Sequence, residues 1–235
     1  SKVDSQYQTQ VVKSVETLAR WFHPERGMIT PDIFIDIAER HDLIDALADS
    51  ILMQATRQGA IWHTQGIDLS VAINISMCNL RHLDFPDRIK EIVNHEGMDI
   101  KKLVIEITES RLVQDLGTYL DILSRLRLKG PLLSIDDFGT GYVSMDHLKQ
   151  MPFGELKIDR AFVNGSYKDD TARAILQSSV SLAKQLEMTV VAKGVEVKED
   201  WGLVSELGCD MVQGYYIAPP MDVETFDAWL LNRCK

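Results

Sequence analysis

The chain has 235 residues, 45% of them hydrophobic, and a formal net charge of -10, which suits one large α/β domain or two small ones and argues against disorder. A charge of that sign excludes nonspecific binding to DNA or RNA duplexes, because phosphate attraction needs a basic face. Cys78, Cys209 and Cys234 form no CxxC pair, so neither a disulfide framework nor a zinc knuckle is expected and a reducing, cytoplasmic setting is the simpler reading. No apolar run spans a bilayer, and the start at Ser1 reads as a fragment of something longer.

In chain order, Val11 to Arg20 alternates as a strand, and Pro31 to Ala60 carries helical spacing through Phe34, Ala38, Leu47 and Leu52, with Pro31 suited to a first helical position. Leu69 to Ser76 is strand-like, Phe85 to Asn94 helical, and Lys102 to Glu109 a strand ending in acids. A helix from Val113 to Lys129 is closed by Gly130-Pro131. The stretch Leu132-Leu133-Ser134-Ile135-Asp136-Asp137-Phe138-Gly139-Thr140-Gly141-Tyr142 then runs a buried strand into two adjacent carboxylates and a glycine-marked turn. Adjacent carboxylates repel unless a cation lies between them, so this strand end is a cation site; Asp at a helix N-terminus is the other reading. Helix Asp146 to Gln150, strand Glu155 to Asp159, helix Thr171 to Leu186, strand Met188 to Ala192, helix Lys198 to Leu207, short strand Cys209 to Gln213 and helix Val223 to Leu231 complete the chain.

The alternation has no linker or composition break, which predicts a single α/β domain over 1–235. Polar residues recur at the strand ends Glu106, Asp136, Lys157, Lys193 and Gln213, about one βα unit apart. In a TIM-like (β/α)8 barrel those ends converge on one face, whereas an open sheet spreads them along an edge. The spacing favours the barrel.

Glu16, Asn74, Glu106, Asp136 and Asp137 make an all-oxygen donor set with no histidine at a strand end, which favours Mg²⁺ or Mn²⁺ over zinc. Two such ions suit displacement at a phosphodiester. Lys157 lies two residues before Asp159 on one strand and so shares its face, placed to position a water or neutralise developing charge. Taken singly, a strand-end acid is more often a cap or salt-bridge partner; five strand ends agreeing weigh against that.

Val15-Glu16-Thr17-Leu18-Ala19-Arg20-Trp21, Asn74-Ile75-Ser76, Glu106-Ile107-Thr108-Glu109-Ser110, Asp136-Asp137-Phe138-Gly139-Thr140-Gly141-Tyr142, Leu156-Lys157-Ile158-Asp159-Arg160, Gly194-Val195-Glu196 and Gln213-Gly214-Tyr215 resemble, in order and spacing, the EAL-domain family of cyclic-di-GMP phosphodiesterases. The resemblance implies a TIM-like barrel with an antiparallel first strand, hydrolysing cyclic di-GMP to linear pGpG, often as a homodimer. It implies that Glu16, Asn74, Glu106 and Asp136 hold a first metal, with Asp136 and Asp137 on a second. It further implies that Lys157 meets the attacking water and that Glu196 completes the catalytic site, that Arg20 meets a ligand phosphate, that Leu18, Asp159 and Gln213 belong to the ligand site, and that Glu109 anchors the loop from Asp137 to Met145.

Departures from the family pattern are the middle residue of Glu16-Thr17-Leu18, Val143 and Met145 in the loop, Ile217-Ala218-Pro219-Pro220 near the end and, above all, Lys193 in place of a Glu. Glu to Lys changes the charge by two units, each worth roughly 4 kcal/mol at ~4 Å from a cation and an effective dielectric of about 20. A weakened second metal and impaired turnover are expected, with the Lys193 ammonium paired to Asp137 in the metal's place. The alternative function is therefore a non-hydrolysing cyclic-di-GMP receptor on the same fold. A barrel glycosidase using Glu106 with Glu196 or Asp137 leaves Asn74 and Lys157 without work, and the Asp137-Phe138-Gly139 triplet lacks the other loops of a kinase.

Overall fold

A computed structural model describes residues 11–111, 116–141 and 144–233. Strands and helices alternate through them, making the chain an α/β protein, and it divides into two compact units, Ser1–Ile107 with Gln114–Leu133 and Thr108–Val113 with Ser134–Lys235. Where eight barrel strands were expected, seven strands paired in parallel are described.

In the first unit, β1 (Ser14–Thr17) is followed by the hairpin β2 (Trp21–His23) and β3 (Gly27–Ile29), then by helices α1 (Pro31–Arg40) and α2 (Ile44–Thr64), β4 (Ser70–Asn74), α3 (Phe85–Glu96), β5 (Leu103–Thr108) and α4 (Leu116–Lys129). The expected antiparallel first strand is corrected here: β1 pairs with β4 in parallel, Glu16 opposite Ala72, and the Ser70 N–H donates to the Lys13 carbonyl. The physical reason is the crossover, since the two helices between β1 and β4 return the chain to its starting end. Antiparallel pairing occurs instead in the β2–β3 hairpin, whose turn closes at Gly27 with φ 69°. The helical spacing over Pro31 to Ala60 is realised as two helices, broken where Asp42 takes a left-handed φ of 54°. That break re-aims the chain, so that α1 buries Phe34 and Ala38 while α2 buries Leu52, Ala55, Gly59 and Trp62. At Gly59 an added Cβ would stand 2.7 Å from the Met98 sulfur and 3.1 Å from Val71, so the glycine permits the close approach of α2 to β4. Helix α4 stops at Gly130 with φ 121°, as Gly130-Pro131 implies, whereas Val113, its expected start, lies outside the described residues.

The second unit holds the parallel strands β6 (Leu132–Phe138), β7 (Glu155–Ile158), β8 (Thr189–Lys193) and β9 (Met211–Gln213), with β6 entering from the first unit's last two residues. Between and after them run α5 (Met145–Gln150), α6 (Arg160–Val163), α7 (Asp170–Gln185), α8 (Lys198–Leu207) and α9 (Val223–Arg233). Ile135, Leu156, Ile158, Val190 and Ala192 are fully buried, as are Leu176 and Ala183 of α7 and Val204 of α8. Strands so covered read as near-continuous apolar runs, which is why the polar residues at their C-terminal ends stand out. No helix among the described residues is long and apolar enough to cross a membrane.

Candidate functional site

In the first unit the functional side chains sit at the ends of three neighbouring strands. Register places Asn74 directly opposite Glu106, and the Asn74 amide nitrogen donates to Glu16 Oε1 at 2.8 Å. A carboxylate oxygen of Glu16 and one of Glu106 lie within 4.8 Å of each other, and Glu106 is only 1% exposed. Two carboxylates that near, one of them buried, call for a positive charge close by. Because Asn74 spends its N–H on Glu16, its carbonyl oxygen is the atom left for a cation, and the group is all oxygen, the donor chemistry of Mg²⁺ or Mn²⁺. Beyond β1 the chain turns outward: Leu18 and Arg20 are exposed, and the Arg20 guanidinium donates to the Ala19 carbonyl at 2.9 Å.

In the second unit the end of β6 is shaped by a β-bulge. Ile135 pairs with Leu156 and Phe138 with Ile158, so Asp136 and Asp137 together oppose the single residue Lys157. Regular pleating sends successive side chains to opposite faces; the extra residue, with Asp137 at φ 54°, undoes that alternation. One ammonium then reaches both carboxylates: Lys193 Nζ donates to Asp136 Oδ1 at 2.6 Å and to Asp137 Oδ1 at 2.7 Å. Burial works against the Lys193 charge, but the two aspartates outweigh it and hold the ammonium's pKa above the usual lysine value. Lys157 is buried beside them at the β7 end. One layer deeper on the same strand, Glu155 is buried too, and burial pushes its carboxyl above the usual carboxylate range.

The loops after these strands are tied down by carboxylates. Glu109 Oε2 accepts from the Gly139 and Gly141 N–H groups at 2.8 and 3.0 Å, bracketing the turn after β6; Tyr142 and Val143 lie outside the described residues. A Cβ at Gly141 would crowd the Glu109 carboxyl at 3.0 Å. Asp159 caps α6, its Oδ1 accepting from the Ala161 N–H at 2.8 Å, so its carboxylate has local work at the β7 end. Glu196 is exposed, on a loop whose Val195 N–H donates to the Gln213 carbonyl at 3.1 Å. Fully buried Asp200 fixes that loop from below, accepting from the Glu196 and Val197 N–H groups at 3.3 Å and from Gly165 at 2.9 Å.

Sequence reasoning passed over the bulge, Glu155, Asp200 and the β2–β3 hairpin. The hairpin had a signal, Pro24 to Gly27 between two aromatic-apolar runs. Asp200 had a weaker one, an acid in the first turn of a helix. The bulge had none, since it depends on which residues of β7 face β6.

Comparison with known proteins agrees with this arrangement. The EAL domain family matches residues 3–220. The bifunctional diguanylate cyclase/cyclic di-GMP phosphodiesterase MucR of Pseudomonas aeruginosa is 37% identical over 89% of this chain, and the cyclic di-GMP phosphodiesterase PdeR of Escherichia coli 33% over 95%. The chain spans 31% and 34% of the length of these relatives. Among solved structures, that of the PaMucR phosphodiesterase in complex with c-di-GMP superposes with a TM-score of 0.87 at 36% identity, covering 93% of this chain and 89% of that one. A family match over nearly the whole chain shows that this chain belongs to the EAL domain family.

Proposed function

We propose that the chain binds cyclic di-GMP and, with a divalent ion, opens one of its two phosphodiesters to give linear pGpG. Water adds across a P–O bond, leaving a 5′-phosphate on one guanosine and a 3′-hydroxyl on the other. The observation that carries the reading is the Glu16–Asn74–Glu106 arrangement at neighbouring strand ends in a chain of the EAL family. In this reading those three residues and Asp136 hold one Mg²⁺ or Mn²⁺, which when bound polarises a phosphoryl oxygen and acidifies a water. Asn74 orients Glu16 by its 2.8 Å hydrogen bond. Lys157, buried at the β7 end, holds the water or the developing negative charge. Arg20 pairs with a ligand phosphate, Leu18, Asp159 and Gln213 border the bound dinucleotide, and Glu196 completes the catalytic group.

The same reading takes residues 1–235 as one EAL-type domain of a longer signalling protein, with the (β/α)8 barrel, a homodimer and a cytoplasmic setting as its companions. The half-buried free thiols of Cys78 and Cys209 suit a reducing compartment. The test is to incubate the purified chain with cyclic di-GMP and Mn²⁺, follow pGpG by chromatography and measure affinity by calorimetry in parallel. Binding with product that stops on adding EDTA is expected, and Glu106→Gln should lower turnover at least a hundredfold. Absence of both binding and product would refute the reading.

A further inference from the structure

We propose that Lys193 is a tethered cation filling the position between Asp136 and Asp137, so that this chain takes one divalent ion where those carboxylates would otherwise share a second. The inference deepens the functional reading above and rests on it for the first ion. Its own ground is geometric. The Lys193 ammonium lies 2.6 Å from one carboxylate oxygen and 2.7 Å from the other, the lengths of charge-assisted hydrogen bonds. A divalent ion on the same two oxygens would need the same point in space, at about 2.0–2.1 Å from each for Mg²⁺. Ion and ammonium therefore exclude each other.

The lysine is held where it is. β8 lies beside β7, and β7 beside β6, so Lys193 reaches across a full strand, roughly 10 Å at the usual spacing, to meet the aspartates. The bulge in β6 turns both carboxylates toward it. Its side chain is 18% exposed and that of Asp136 6%, so withdrawing the ammonium would leave a desolvated carboxylate unpaired. Two carboxylates and one ammonium sum to a single negative charge, which suits one further ion on the remaining Asp136 oxygen.

The substitution changes the chemistry in one direction. An ammonium has three N–H groups, two of them given to the aspartates, leaving one for a ligand phosphate or a water. It neutralises charge as an ion does, yet it carries no exchangeable water to acidify. Ligand binding survives this replacement and turnover falls, so the site works as a cyclic-di-GMP receptor that cuts slowly.

Titrating Mn²⁺ into the folded chain, with calorimetry and electron paramagnetic resonance counting bound ions, tests this against Lys193→Glu and Lys193→Met. The Lys193→Glu protein should bind one more ion per chain than the unmodified protein and cut cyclic di-GMP at least a hundredfold faster. Lys193→Met, which removes the cation without adding a ligand, should raise Mn²⁺ affinity at least tenfold and decides the matter if Lys193→Glu does not fold by circular dichroism. Equal ion counts in the unmodified and Lys193→Glu proteins, or unchanged affinity in Lys193→Met, would overturn the inference. If the ion counts differ as expected while no protein binds cyclic di-GMP, the tethered cation stands and the functional reading falls.

Discussion

Asp137 adopts a left-handed backbone that costs a non-glycine residue of order 1–3 kcal/mol. Its bond to Lys193 and the turn held by Glu109 are what the strain sustains, so a single residue's conformation decides how the β6 end meets a cation. Glu155 gives a second residue-scale consequence. Its folded pKa is raised from 4.5, chiefly by burial, so the folded chain keeps that proton to a higher pH than the unfolded chain does. Stability from this group is therefore full below about 4.5 and is lost as pH rises through the folded pKa, levelling off once both states are ionised. Glu155→Gln cannot titrate, so its urea midpoint should fall less between pH 4 and pH 8 than that of the unmodified chain. Identical pH profiles would mean that the Glu155 carboxyl is not held neutral.

At the scale of elements, the loop from β8 into α8 depends on one side chain. Three backbone N–H groups, from Gly165, Glu196 and Val197, converge on the buried Asp200 carboxylate, joining the turn before α7 to the segment that carries Glu196. Gly194, which would set a Cβ 2.5 Å from Arg160 Cβ, shows how tightly the same loop lies against the start of α6. Removing the carboxylate orphans these donors, so Asp200→Ala should lose about 2–3 kcal/mol in urea denaturation, with Asp200→Asn recovering part of it. Under the proposed function, cyclic-di-GMP affinity should fall with it, because Glu196 loses its fixed backbone. A loss within 0.5 kcal/mol, about the scatter of ordinary surface substitutions, would show that the latch is not under tension.

At the scale of the whole molecule, an ion that binds only the folded chain must stabilise it. At a hundred times its dissociation constant the gain is about 2.7 kcal/mol, which for a protein of this size raises Tm by roughly 5–10 °C. Mn²⁺ should produce that rise and EDTA should reverse it. The net charge of -10 makes a salt control necessary, since any cation screens self-repulsion. A Tm shift reproduced by NaCl at the same ionic strength would remove the specific site.

Much of this was legible in the residues themselves. Apolar runs ending in Asn74, Glu106, Asp136, Lys157 and Lys193 announced strands and polar ends, and Gly130-Pro131 announced a helix stop, because side-chain periodicity and turn chemistry act over a few neighbouring residues. The pairing of Lys193 with Asp137 was expected from the resemblance, which sets Lys193 where the family carries a Glu beside a metal. Other features waited on the fold: the parallel sense of β1, the break at Asp42, the bulge that gives Lys193 Asp136 as well as Asp137, and the use of Asp200 as an anchor. Each of these is settled by how segments far apart in sequence pack and register against one another. A chain read locally carries the list of charged groups, whereas tertiary packing decides which of them share a single cation.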